Sequence, residues 1–211
     1  MFSLSTISSV GASNTINAKN NTTHNSFKFM TYNIEASGTN PSWFNVVKEE
    51  DPDIMILVET GNWDDNGNQT LNQVVSDLNT YFSNENPYEG YTDQNVPYST
   101  SGVAILSRFD ITKFNDIEYV TLDDSTIYNS SHDFVDAKIN LGGTTIHVIG
   151  GHLKCCSGPD NEIKRNNAQE GIINYMDSLG NVPIIYAGDF NSFSPQDTSN
   201  SGDLGTGPMI C

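Results

Sequence analysis

Pro183-Ile184-Ile185-Tyr186-Ala187-Gly188-Asp189-Phe190-Asn191 is the stretch that decides how this chain is read. A short apolar run ended abruptly by polar residues reads as a strand buried on both faces. Glycine at 188 permits close backbone approach. Asp189 and Asn191 alternate about Phe190, so an extended chain points both polar groups the same way. A buried strand thus delivers two oxygen-bearing side chains to its own end.

Other apolar runs end in the same manner. Ile56-Leu57-Val58 closes on Glu59, and Ile146-His147-Val148-Ile149 closes on Gly150-Gly151-His152. A first strand, where Phe27, Phe29 and Thr31 alternate with Lys28, Met30 and Tyr32, leads into Asn33. Polar side chains beyond strand ends converge on a rigid rim, where sites are built. Carboxylate and amide oxygens are hard ligands that suit magnesium, manganese or calcium better than zinc. Such an ion polarises a phosphoryl oxygen; a nearby Asp orients or deprotonates water, and a His carries protons or faces phosphate charge. Taken singly, each residue has a plainer reading: Glu59 as a solvated strand end, His152 as a hydrogen-bonded structural histidine, Asn33 as a turn residue. Their recurrence at successive strand ends is what argues for a site.

The remaining elements fill in around these. Residues 41–50 carry Trp43, Phe44, Val46 and Val47 at helical spacing and are stopped by Asp51-Pro52. Residues 53–58 and 102–107 read as buried strands. Residues 70–82 place Leu71, Val74, Val75, Leu78 and Phe82 on one helical face. Polar connections follow residue 107. Residues 133–140 and 144–151 read as strands about a Leu141-Gly142-Gly143 turn, and residues 161–179 as a helix. The order strand–helix–strand–helix, a strand-rich middle, then helix–strand fits an α/β or α+β sandwich of sheets flanked by helices, not a simple doubly wound sheet.

Composition sets the outer limits. The 211 residues suffice for one sizeable core, with ten Phe and nine Tyr supplying bulk. No apolar run is long enough to span a membrane. A net charge of −17, with nine Lys and Arg in all, disfavours nucleic-acid contact unless cations or a local basic patch intervene. Residues 1–25 are polar and rich in Asn, Ser and Thr; they read as a flexible segment or the remnant of an export signal, so a secreted or cell-surface location is expected. Residues 26–211 form the single domain. Cys155, Cys156 and Cys211 lack further ligands at zinc spacing. Adjacent cysteines rarely bridge, because the eight-membered ring is strained; each thiol is either reduced or paired with a distant partner.

Five segments in order, Thr31-Tyr32-Asn33-Ile34, Leu57-Val58-Glu59-Thr60, Ser101-Gly102-Val103-Ala104-Ile105-Leu106-Ser107-Arg108, Gly151-His152-Leu153 and Gly188-Asp189-Phe190-Asn191-Ser192, resemble the endonuclease/exonuclease/phosphatase superfamily across roughly residues 27–195. The resemblance implies a deoxyribonuclease-I-like four-layer α/β sandwich and metal-dependent hydrolysis of phosphoesters. It implies that Asn33 and Glu59 bind the cation, usually Mg²⁺ with Mn²⁺ or Ca²⁺ as alternatives. His152 would face the scissile phosphate, Asp189 would align the attacking water, and Asn191 would bind phosphate or metal. Arg165 and Gln169 match a recurrent family pattern, with a structural role favoured over catalysis. The segments Lys154-Cys155-Cys156-Ser157-Gly158 and Ser194-Pro195-Gln196-Asp197-Thr198 look like a secreted prokaryotic branch.

Two departures stand out. Some members carry a basic residue where this chain has His132-Asp133. The family's later Ser-Asp-His motif is absent, and His24, His132 and His147 stand at unsuitable positions for it. The chain therefore reads as a sandwich missing its last strands, incomplete at the C-terminus. Three functions remain open: a phosphodiesterase or nuclease, a phosphomonoesterase acting on a sugar, inositol or lipid phosphate, and an inactive fragment or binding module. The expected partner is a phosphoester substrate, either nucleic acid or a small phosphorylated molecule, and the chain is expected to be a monomer.

Overall fold

Two adjacent strands, buried throughout with side chains alternating between two apolar interfaces, organise the molecule. The computed structural model describes residues 26–36, 41–94, 96 and 101–192. In chain order these form β1 (Phe29–Asn33), α1 (Pro41–Glu50), β2 (Ile54–Val58), α2 (Asp65–Tyr81), β3 (Glu89–Thr92), β4 (Val103–Ser107), β5 (Ile111–Thr121), β6 (Ile127–Asn140), β7 (Thr145–His152), α3 (Pro159–Ser178) and β8 (Ile184–Asp189). One sheet has the order β1-β2-β4-β3 and the other β5-β6-β7-β8.

Successive side chains of a strand face opposite ways, and this chain uses both faces. Met55 and Leu57 of β2, with Ala104 and Leu106 of β4, pack against Trp43 and Val47 of α1 and Leu71, Val74 and Leu78 of α2. Their neighbours Ile54, Ile56, Val58, Val103 and Ile105 turn the other way, onto Val135, Ala137, Ile139, Ile146 and Val148 of the second sheet. The far side of that sheet, through Phe134 and Ile149, packs on Ala168 and Ile172 of α3. Three apolar interfaces thus bind four layers, helix–sheet–sheet–helix: the expected sandwich. Continuous apolar runs such as Ile54–Val58, buried throughout, follow from having no solvent face.

The helices and inner strands lie where sequence periodicity puts them. In α2, Asn66, Gly67 and Asn68 hold left-handed backbone angles, so regular right-handed turns begin beyond them, matching the apolar pattern that starts at Leu71. The stretch after residue 107 differs from expectation. It is not a polar connection but β5 and the first half of β6, a long hairpin with register shifts near Ile111 and Ile117. Along β5 only Ile111, Ile117 and Val120 are buried, because it is the outer strand of its sheet and its bulges break the period-two signal. The four-residue β3, at the edge of the other sheet, was equally unmarked.

No helix among the described residues is long and apolar enough to cross a membrane. The export reading of residues 1–25, the Ser194–Thr198 resemblance, His24 and Cys211 all lie outside the described residues.

Candidate active site at the ends of two parallel strand pairs

Each sheet contains one parallel pair. In the first, β1 runs beside β2 with Asn33 level with Val58, so Asn33 and Glu59 emerge together. In the second, β7 runs beside β8 with His152 level with Asp189. The pairs end at one rim of the sandwich, where Asn33 joins the sheets: its Nδ2 donates to Glu59 Oε1 at 2.9 Å and to Asp189 Oδ2 at 3.0 Å. Its Oδ1 accepts the Glu35 amide at 2.9 Å, which leaves a second lone pair free for another partner.

The backbone here is tightly set. Glu59 has φ 56° and Asn191 φ 48°, left-handed values uncommon for side-chain-bearing residues and concentrated at functional sites. Gly188 (φ +155°) is indispensable, since a Cβ would lie 1.8 Å from the Gly151 carbonyl oxygen. That close approach, anticipated from the glycine, draws the His152 and Asp189 strand ends together.

His152 is buried, with Nε2 3.7 Å from Glu59 Oε1. Neither ring nitrogen has a hydrogen-bond partner among the described residues, an expensive state for a buried polar group. Burial lowers its pKa, with Asp189 and Glu59 opposing, so the ring is neutral at pH 7 and holds one donor and one acceptor. Its ring lies against His132, centroids 4.3 Å apart at 48°. His132 is buried too, its Nδ1 3.3 Å from Ser101 Oγ; burial, followed by the charges of His152 and Lys154, depresses its pKa to about 3.

The sequence offers His132 no role, its position being unsuitable for the histidine of the Ser-Asp-His motif; the structure packs it against His152 at the site. Strict alternation back from Val135, Ala137 and Ile139 would have turned it toward α3, and the strand loses that alternation before reaching it. The β6–β7 register, with Val135 level with Gly150, carried two residues on, is the signal that puts this part of β6 beside His152.

Asn191 occupies a different position from the other four. Its backbone N–H donates to Asp189 Oδ1 at 3.0 Å, and its Nδ2 donates to the Leu153 carbonyl at 2.9 Å. Phe190 turns away onto Tyr186, ring centroids 4.7 Å apart. Arg165 and Gln169 make scaffold contacts: Arg165 Nη1 donates to the carbonyls of Lys154 at 2.8 Å and Cys156 at 2.9 Å, and Gln169 Oε1 accepts the Tyr186 hydroxyl at 3.2 Å. His147 lies at the opposite end of β7, its Nδ1 2.9 Å from Asp136 Oδ1.

Elsewhere carboxyls crowd together, where Asp93 after β3 meets Asp116 of β5 and Asp133 of β6. Burial raises Asp93 to about 8, and burial with the Asp116 charge raises Asp133 to about 7. Burial also raises Asp116.

Among the described residues no three His, Cys, Asp or Glu side chains form a ready-made metal cage. Magnesium does not require one, since it binds through one or two carboxylates and keeps waters or substrate oxygens. The donor chemistry fits it: Glu59 Oε1 and Asp189 Oδ2 share a single amide donor, with the asparagine oxygen beside them.

The model of the Endonuclease/Exonuclease/phosphatase family matches residues 30–208. Among solved structures, truncated Caenorhabditis elegans TDP2 is similar at 18% identity and TM-score 0.53, over 78% of this chain and 62% of that one. Sphingomyelinase C from Streptomyces griseocarneus is similar at 21% identity and TM-score 0.54, over 81% and 66%. An endonuclease/exonuclease/phosphatase family protein from Leptotrichia buccalis is similar at 18% identity and TM-score 0.58, over 79% and 67%. The chain spans less than two thirds of the first two. No curated protein matches it by sequence.

Proposed function

Because the chain belongs to the Endonuclease/Exonuclease/phosphatase family, we propose that it is a metal-dependent phosphoester hydrolase of the phosphodiesterase type, acting by in-line attack of water. The observation that carries this reading is the convergence of Asn33, Glu59, His152 and Asp189, with two carboxylates on one amide and a buried imidazole whose nitrogens have no hydrogen-bond partner among the described residues.

Glu59 and Asn33 Oδ1 are the groups that would hold a divalent cation, Mg²⁺ foremost. When bound, the cation would neutralise charge developing on the phosphoryl oxygens. The protein's own groups do the rest. Asp189, with Oδ1 held by the Asn191 amide and Oδ2 by Asn33, is an oriented acceptor for a proton from the attacking water. Neutral His152, itself buried, donates one N–H to a phosphoryl oxygen. His132 keeps that ring in place. Asn191 fastens the Asp189 turn to Leu153 and so acts as a positioning residue in this reading.

A charge of −17 supports a small phosphorylated molecule over a polynucleotide as substrate, and it keeps a phosphomonoesterase as the second reading. A substrate panel separates these. Release of p-nitrophenol from a diester with Mg²⁺ supports the proposal, whereas phosphate release from monoesters alone supports the second reading. With a chiral phosphorothioate diester, inversion at phosphorus is expected; net retention would overturn single-step attack.

A further inference from the structure

We propose that Cys155 and Cys156 form a modification site: a vicinal thiol pair that a small-molecule disulfide of the glutathione type oxidises to a disulfide across one peptide bond, with consequences for the Asp189–Asn191 turn. Adjacent cysteines ordinarily resist bridging because the small ring strains the backbone. Here the fold has already brought the sulfurs together, Sγ to Sγ 2.8 Å, with one thiol donating to the other. Cys156 sits at φ 75°, a left-handed bend maintained from outside the pair. The buried Arg165 grips the carbonyls on both sides, those of Lys154 and Cys156.

Reactivity and access agree with this geometry. Cys156 is exposed and Cys155 half-buried, so an incoming disulfide meets Cys156 first. The hydrogen bond to Cys156, ahead of burial, raises the Cys155 thiol, which suits it to remain protonated until it resolves the intermediate. In the first step the Cys156 thiolate attacks one sulfur of the small disulfide, forming a mixed disulfide and releasing one thiolate. In the second the Cys155 thiolate attacks Cys156 Sγ and expels the other. Two protein thiols are oxidised, one small disulfide is reduced to two thiols, and the two protons end on those thiols.

The pair is joined to the site through Leu153. That residue donates its N–H to the Asp189 carbonyl at 2.9 Å and accepts the Asn191 amide at 2.9 Å. Closing the ring twists the 155–156 peptide, loosens the Arg165 grip on Cys156, and passes the strain two residues back to Leu153.

Full-length protein treated with oxidised glutathione, alkylated under denaturing conditions and digested, tests the modification. The peptide containing Cys155 and Cys156 is expected lighter by two hydrogens and unalkylated, and doubly alkylated after dithiothreitol. Cys155→Ser should instead retain glutathione on Cys156. Two alkylated or two glutathionylated cysteines in the wild type, or a cross-link to Cys211, overturns the proposal. Hydrogen exchange tests the coupling without reference to activity. Peptides covering 151–156 and 187–192 should exchange severalfold faster when oxidised, and the double serine variant should show no response. Identical exchange in both redox states of the wild type would refute the coupling.

Discussion

The imidazoles of His132 and His152 lie against each other with centroids 4.3 Å apart, both buried and both held neutral by that burial. One ring faces the site and the other braces it from β6. His132→Ala should therefore free the His152 ring and lower kcat about tenfold with KM little changed, since small misplacements near a reacting centre are costly. His132→Phe should restore most of the rate by refilling the space. Equal loss in both variants would instead assign His132 a polar role of its own.

Glu59 and Asp189 are gathered on one amide donor, an arrangement that repels itself in the absence of a cation. Glu59→Gln should raise the Tm of the metal-free protein while abolishing the rise that Mg²⁺ gives the wild type. Thermal unfolding with and without Mg²⁺ checks both. A Mg²⁺-dependent rise that survives the substitution would remove Glu59 from the ligand set.

Protonation works in two opposed directions. In the unfolded chain both histidines charge below pH ~6.5, whereas folded His132 resists to about pH 3. The unfolded state then binds more protons, so this contribution loses stability as pH falls from ~6.5. Asp93, at about 8, and Asp133, at about 7, have the reverse sign. Folded, they hold protons that the unfolded chain releases above ~4, so stability declines as pH rises from ~4 and levels off once the folded groups ionise at about 7–8. Asp93→Asn should raise Tm at pH 8.5 by about 2–4 °C and by less at pH 5. A larger gain at pH 5 would reverse the assignment.

Gly188 packs its backbone onto Gly151 where a Cβ would fall 1.8 Å from a carbonyl oxygen. Gly188→Ala must separate β7 from β8 at the His152–Asp189 level, and a loss of about 3 kcal/mol or more is expected, the range of severe core and backbone lesions. Denaturant unfolding reads it. A loss under about 1 kcal/mol would mean that the strand ends part easily.

What the sequence made legible follows from where residues lie in the layers. Ile54–Val58 and Val103–Ser107 are inner strands buried on both faces, so their apolar runs announced them, and polar residues just past the ends of the parallel strands marked Asn33, Glu59, His152 and Asp189. Edge strands are harder to read: β5 buries three residues of eleven and carries no apolar run, and β8, whose apolar run predicts burial on both faces, is an edge strand in which only Ala187 is fully buried. The place of His132 is not legible in the sequence, because it depends on hairpin register and a local loss of alternation, and neither is written in a pattern along one strand. Shared parity of Asp189 and Asn191 predicts that both face the site, but φ 48° at Asn191 breaks the extended geometry on which parity depends, and its side-chain amide goes to Leu153.

The central claim is that Asp189, oriented by Asn33 and Asn191, accepts a proton from water attacking a phosphodiester. Hydrolysis of bis(p-nitrophenyl) phosphate by wild-type protein and Asp189→Asn, each with Mg²⁺ or EDTA, addresses it most directly. The account predicts Mg²⁺-dependent turnover that EDTA stops and that the substitution lowers about 10²–10⁴-fold with the fold intact. Absence of turnover in the wild type, or an Asp189→Asn rate equal to the wild type's, would contradict it.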